Sequence, residues 1–199
     1  MQRVAIIGSS GSGKSTLGRL LSSRLQLAYL ELDEVYHQAD WHPLAPDRFL
    51  ARVDSFTREP RWVVDGNYMT AGAGPLIWKR ADTIVWLDLP RRRVMWQLAR
   101  RTLARVLWRE ELWNGNRERL RNLFRIDPQE NVLLWAWTRY WRLRERYERL
   151  ARDGAWEHAC VHRLRTPHEV GTFLSEVGSI AAPAQSHGTP AGAGPIRIE

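Results

Sequence analysis

An α/β protein built on a five-stranded parallel sheet, with helices on both faces, is the fold this sequence predicts. Two observations predict it. Short β-branched apolar runs alternate with segments whose apolar residues recur every three or four positions, and a parallel strand buried on both faces reads as such a run. The first run also leads straight into a glycine-rich loop and then a helix, which opens a strand–loop–helix unit. The 199 residues suit one domain, and a hydrophobic content of 44% supplies a real core.

The elements follow in order. Val4-Ala5-Ile6-Ile7 is the first strand, and Leu17, Leu20, Leu21 and Leu25 mark the helix beyond the glycine loop. Ala28–Leu32 reads as the second strand, ending at Asp33-Glu34. A connection carrying Trp41, His42 and Pro43 leads to a helix opened by Pro46 and faced by Phe49, Leu50, Val53 and Phe56. Arg61–Asp65 is the third strand, broken by Gly66, and Thr83–Leu87 the fourth, stopped by Pro90. A long helix runs from about Arg91 to Val106, the polar stretch "REELWNGNRER" interrupts it, and helix resumes near Pro128 to about Ala151. Ala159–Leu164 is the fifth strand. Thr166, Pro167 and Glu169 form a capping box for the last helix. From Ser179 the chain turns to Ala, Gly, Pro and Ser. The organisation predicted is one domain over 1–178 with a helical lid inserted at about 91–152, then a disordered tail over 179–199.

The loop Gly8-Ser9-Ser10-Gly11-Ser12-Gly13-Lys14-Ser15 fits G-x-x-x-x-G-K-[ST] in full, between the strand and the helix the motif requires. Glycines let backbone N–H groups curl around phosphate oxygens, and the helix N-terminus adds partial positive charge. ATP is therefore expected on Gly8, Ser9, Ser10, Gly11, Ser12, Gly13, Lys14, Ser15 and Thr16, with Lys14 on the β/γ-phosphates and the Ser15 hydroxyl on Mg²⁺. In open parallel sheets ligands lie at the C-terminal strand ends. Asp33, Asp65 and Asp88 end three successive strands. Phosphoryl transfer needs one acid to hold Mg²⁺ and can use another to orient the attacking hydroxyl. Asp33 and Asp65 are the candidates, although aspartate is also common wherever strands become turns.

Residues 91–152 hold seventeen arginines, no lysine and seven acids, a local excess larger than the +8 of the whole chain. Arg101 and Arg105, four apart on one helix face, are candidate catalytic donors to the transferred phosphoryl group; Arg109 continues their line. Asn114, Gly115 and Asn116 have the composition of a turn and read as a lid hinge. Trp108, Trp113, Trp135, Trp137 and Trp141 interleave with arginines, a mixture that can bind nucleic acid. Leu133, Trp137, Tyr140 and Tyr147 instead fall on one helical stripe, interrupted by Arg144, and such a stripe belongs to a core. Nucleic acid is the disfavoured partner. Tyr36, His37, Trp41 and His42 lie just beyond Asp33, where they either shape an acceptor pocket or pack as a loop.

The loop, the Asp after strand two, "WVVDGNY" after strand three, "VWLDLPRRR" after strand four and "ELWNGNRE" resemble the adenylate-kinase-like P-loop kinases over roughly residues 2–177. Within these the sequence is most similar to the bacterial group labelled DNA topology modulation proteins. The resemblance implies a three-layer α/β/α P-loop NTPase core with strand order 2-3-1-4-5 and an arginine-bearing lid after strand four. It implies that Asp65 holds Mg²⁺ through water and that Asp33 stands near the acceptor. Gly66-Asn67-Tyr68 stands in place of the AMP signature of true adenylate kinases. The resemblance also places adenine near Arg165-Thr166-Pro167.

The expected function is an ATP- and Mg²⁺-dependent phosphotransferase acting on a small acceptor, a nucleotide or a hydroxyl metabolite. The competing expectation is a P-loop ATPase or regulatory switch, linked to DNA topology, without small-molecule transfer. Cys160 is the only cysteine and no apolar run approaches a membrane span, so a cytoplasmic protein is expected.

Overall fold

The computed structural model describes residues 1–69, 72–108, 111–116 and 131–181. Five strands, β1 (Arg3–Gly8), β2 (Ala28–Glu31), β3 (Trp62–Asp65), β4 (Thr83–Leu87) and β5 (Cys160–Leu164), form one sheet in the order β2-β3-β1-β4-β5. All four pairings are parallel. The period of two along each strand divides the core into two layers. Val4, Ile6, Val63, Val85 and Leu87 face helices α1 (Lys14–Leu25) and α7 (Pro167–Ala181). Ala5, Ile7, Trp62, Val64, Ile84 and Trp86 face the opposite layer. There lie α3 (Pro46–Thr57), α4 (Ala73–Arg80) and one end of α6 (Val132–Arg152). Helix α2 (Leu32–Tyr36) follows β2 directly, and α5 (Arg91–Leu107) follows β4.

Several elements depart from expectation. The second strand stops at Glu31, because Leu32 and Val35 are buried at helical spacing and Asp33 and Glu34 favour a helix N-terminus. Asp33 therefore occupies the first turn of α2, and the acid at the tip of β2 is Glu31. Helix α4 went unanticipated, since Gly72, Gly74 and Pro75 read as loop; Pro75 falls in its first turn, where a missing N–H costs nothing. Helix α6 starts at Val132, where the Asn131 side chain accepts from the amides of Leu133 and Leu134. The expected start near Pro128 lies outside the described residues, as do Arg109 and residues 182–199. The last helix continues through Ala181, past the expected boundary at Ser179. Half of its capping box forms as expected, with Thr166 Oγ1 accepting from Glu169 N, while Glu169 Oε2 accepts from Arg165 N, one residue before the cap.

The side of α6 that packs is set by polar contacts. Tyr140, Arg144 and Tyr147 lie three and four residues apart. They reach the Leu89 carbonyl (2.7 Å), the Asp88 carboxylate (2.9 Å) and the Asn67 amide oxygen (2.6 Å) respectively. The arginine that interrupts the aromatic stripe is thus part of the docking face. Trp137, expected in the core, is 47% exposed and lies under the Arg91 guanidinium, 3.6 Å from its ring centroid. Asp88 is equally corrected. It is buried and claimed by Arg144 on one oxygen and Arg163 (2.6 Å) on the other, so it joins α6, β4 and β5 instead of facing phosphate.

Removing one member of a buried ion cluster strands the others. Asp88→Asn should lower stability by ~2–4 kcal/mol, less than a fully buried pair because both arginines keep some solvent contact. The urea unfolding midpoint measures it, and an unchanged midpoint would remove Asp88 from this role.

Candidate functional site

The glycine loop joins β1 to α1. Gly8 ends the strand, Ser9 to Gly13 form the turn with Ser12 N bonded to Ser9 O (3.1 Å), and Lys14, Ser15 and Thr16 open α1. Gly13 caps α1 in the left-handed region (φ 96°) with no side-chain cap and no acid in the first turn. The amides of that turn thus remain available to an anion. Gly11 (φ 83°) lies so close to α5 that a Cβ there would meet Leu98 Cβ at 2.8 Å. The loop and the arginine-bearing helix are therefore packed directly together.

The charged side chains expected from the sequence converge here. Lys14 is half-buried and its ammonium donates to Ser9 O (3.1 Å). Burial pulls its pKa down, Asp65, Asp33 and Glu31 oppose that, and Arg101 reinforces it. Asp65 is buried at the tip of β3 with its Oδ2 unpartnered. Burial pushes its pKa up to about 6, against the pull of Lys14. Arg105 lies further along α5, its guanidinium 5.9 Å from the Trp113 ring centroid. Asp33 accepts a 2.6 Å hydrogen bond from the Tyr68 hydroxyl, which also lies 3.4 Å from His37 Nε2. The Tyr68 hydroxyl is held protonated, because burial and then Asp33 raise its pKa. Burial lowers the pKa of His37, against the pull of Asp33, and its Nδ1 is unpartnered.

Three residues escaped the sequence reading. Glu31 is buried beside Asp65 in strand register and accepts from the Ser15 hydroxyl (2.8 Å), while Arg19 neutralises it (2.7 Å). Its signal was the Glu-x-Asp spacing before Asp33, hidden by extending the strand one residue too far. Tyr68 and Asn67 stood inside the quoted "VVDGNY" without a role. Asn67 clamps the loop's first residue: its Nδ2 donates to Gly8 O (2.8 Å), and its Oδ1 accepts from Gly8 N (3.4 Å) as well as from Tyr147.

A cavity of about 250 Å³ adjoins the loop, lined among others by Ser12, Gly13, Thr16, Arg93, Gln97 and Pro167. The rest of its wall is apolar, chiefly Leu17 and Leu20 of α1 with Leu87 and Leu89 at the end of β4. Pro167 belongs to the segment the sequence had set beside adenine. No group of three or more His, Cys, Asp or Glu able to hold a metal by themselves occurs among the described residues. The set Ser15, Glu31 and Asp65 instead suits a hard divalent cation already carried by phosphates, which needs only one or two protein oxygens. No described helix is long and apolar enough to cross a membrane.

No protein-family model matches the chain. The chain is similar to the shikimate kinase of Persephonella marina, with 26% identity over 104 residues, 45% of this chain; it spans 63% of the length of that curated relative. Among solved structures, a shikimate kinase from Bacteroides thetaiotaomicron superposes on 90% of this chain and 97% of its own, with 11% identity and a TM-score of 0.51. A shikimate kinase from Acinetobacter baumannii in complex with shikimate covers 90% and 92%, with 16% identity and a TM-score of 0.49. The chain has the P-loop kinase fold.

The clamp on Gly8 is testable. Asn67→Ala leaves the Tyr147 hydroxyl buried without an acceptor, which costs about 1–3 kcal/mol. The melting temperature should fall and ATP affinity should fall with it, since Gly8 starts the phosphate loop. A variant of unchanged stability and affinity would show that the clamp is dispensable.

Proposed function

We propose that the chain is an ATP-dependent kinase that transfers the γ-phosphoryl group to a hydroxyl of a small acceptor. The observation that carries this reading is the convergence of Lys14, Ser15, Glu31, Asp65 and Asp33 where β1, β2 and β3 end. Fold likeness alone would not carry it. The phosphates lie on the amides of Gly8–Thr16, and the base fills the cavity beside Gln97 and Pro167. Ser15, with Glu31 and Asp65 behind it, holds Mg²⁺, which when bound withdraws charge from the phosphate oxygens. Lys14, Arg101 and Arg105 stabilise negative charge as it shifts toward the leaving oxygen. Asp33 accepts the proton of the attacking hydroxyl, with Tyr68 orienting its carboxylate. The bond from the γ-phosphorus to the ADP oxygen breaks as the bond to the acceptor oxygen forms.

On "WVVDGNY" and "ELWNGNRE" we further propose kinship with the bacterial DNA topology modulation group, a cytoplasmic location, and a working unit of residues 1–178 with its lid at about 91–152. A switch ATPase would share the phosphate loop, but it would have no use for the hydrogen-bonded Asp33–Tyr68 pair.

ATP with Mg²⁺ should raise the melting temperature, and Lys14→Ala should abolish most of that shift. Asp33→Asn should keep ATP affinity and lose transfer from γ-labelled ATP by a factor of roughly 10²–10⁴. Asp65→Asn should weaken Mg²⁺-dependent binding and transfer together. A wild type that hydrolyses ATP but labels no acceptor, with Asp65 mattering more than Asp33, would establish the switch.

A further inference from the structure

The turn Trp113-Asn114-Gly115 is not a free hinge. Asn114 Nδ2 donates to the carbonyls of His37 (2.6 Å) and Glu34 (3.3 Å). Asn116 is buried; its Nδ2 donates to Gln38 O (2.8 Å) and its Oδ1 accepts from Trp41 N (2.9 Å). Two asparagine side chains thus fasten the turn to the segment that follows Asp33, some eighty residues earlier. They also hold that segment in a costly conformation. Asp40 and Trp41 both lie in the left-handed region (φ 55° and 61°), which a bulky side chain avoids unless its surroundings impose it.

The result is an aromatic corner. Trp41 and Trp113 stand nearly perpendicular (86°, centroids 6.5 Å apart), with the His37 ring 5.3 Å from the first and 6.1 Å from the second. His37 in turn reaches Tyr68, which holds Asp33. Trp41 keeps 38% of its surface exposed, which a tryptophan serving only as core would not. A strained segment that presents a half-open indole, joined through the His37 and Tyr68 rings to a candidate base, has the character of a ligand clamp.

Resting on the kinase reading, we propose that Trp41 and Trp113 form the apolar wall of the acceptor site. The acceptor is accordingly a hydroxyl compound built on a ring, whose flat face lies on indole while a hydroxyl meets Asp33. Asn114 and Asn116 are positioning residues that hold this wall. An acyclic polyol offers no face to stack, and an indole corner gives it nothing.

The test incubates the full chain with Mg²⁺ and γ-labelled ATP against ring-bearing hydroxyl compounds (myo-inositol, glucose, adenosine) and acyclic ones (glycerol, sorbitol). A ring-bearing compound should be labelled. Trp113→Leu should raise its KM by about tenfold while the KM for ATP stays within about twofold. The double variant Asn114→Ala/Asn116→Ala should give the same split and should release the Trp41 amide from hydrogen-exchange protection. A loss of fold would instead move both KM values. Equal labelling of an acyclic polyol, or an acceptor KM indifferent to Trp113→Leu, would overturn the wall and leave the kinase standing. Binding and hydrolysis of ATP with no compound labelled would overturn both.

Discussion

A half-buried lysine and a buried aspartate brought together at a glycine loop form the constraint on which the rest of this structure depends. Neither Lys14 nor Asp65 is satisfied by the protein alone. The ammonium has a backbone carbonyl, and one carboxylate oxygen has nothing. Burial moves both pKa values toward the neutral forms, and each opposes the shift of the other. Such a pair lowers stability unless a ligand completes it, so its presence is an argument for the ligand.

Holding this arrangement requires a stiff frame, which the sheet and α6 provide. Parallel strands β3, β1 and β4 are buried on both faces and deliver Asp65, the loop and Asp88 at one edge. One helix then bolts two of those ends, β4 through Tyr140 and Arg144 and β3 through Tyr147. Asn67 belongs to both systems, tied to Tyr147 on one side and to Gly8 on the other. Helix α6 is thereby coupled to the phosphate loop through Asn67.

What could be read from the sequence follows the range of the interactions involved. The phosphate loop, Asp65 and the cap at Thr166 depend on neighbours within a few residues, and each stands where its local pattern put it. The sheet was equally legible, because fully buried parallel strands leave continuous apolar runs. Glu31 was hidden by a strand–helix boundary one residue from its expected place, where propensity is weakest. Asp88 was noted only as a third strand-tip acid, and nothing local announces its partners Arg144 and Arg163, some 56 and 75 residues away. The asparagines of "WNGN" looked like a hinge for the same reason: their partners lie 75 to 80 residues back along the chain.

If Asp65 holds Mg²⁺ as proposed, the arrival of Mg·ATP should ionise it. Its pKa of about 6 leaves it partly protonated near that pH, and a cation held at its carboxylate expels the proton. The direct measurement is calorimetry of Mg·ATP binding at pH 6 in two buffers of different ionisation enthalpy, with Asp65→Asn as the reference. The wild type should release roughly half a proton more than the variant, and the difference should vanish by about pH 8. Equal proton release from both proteins at pH 6 would contradict the account.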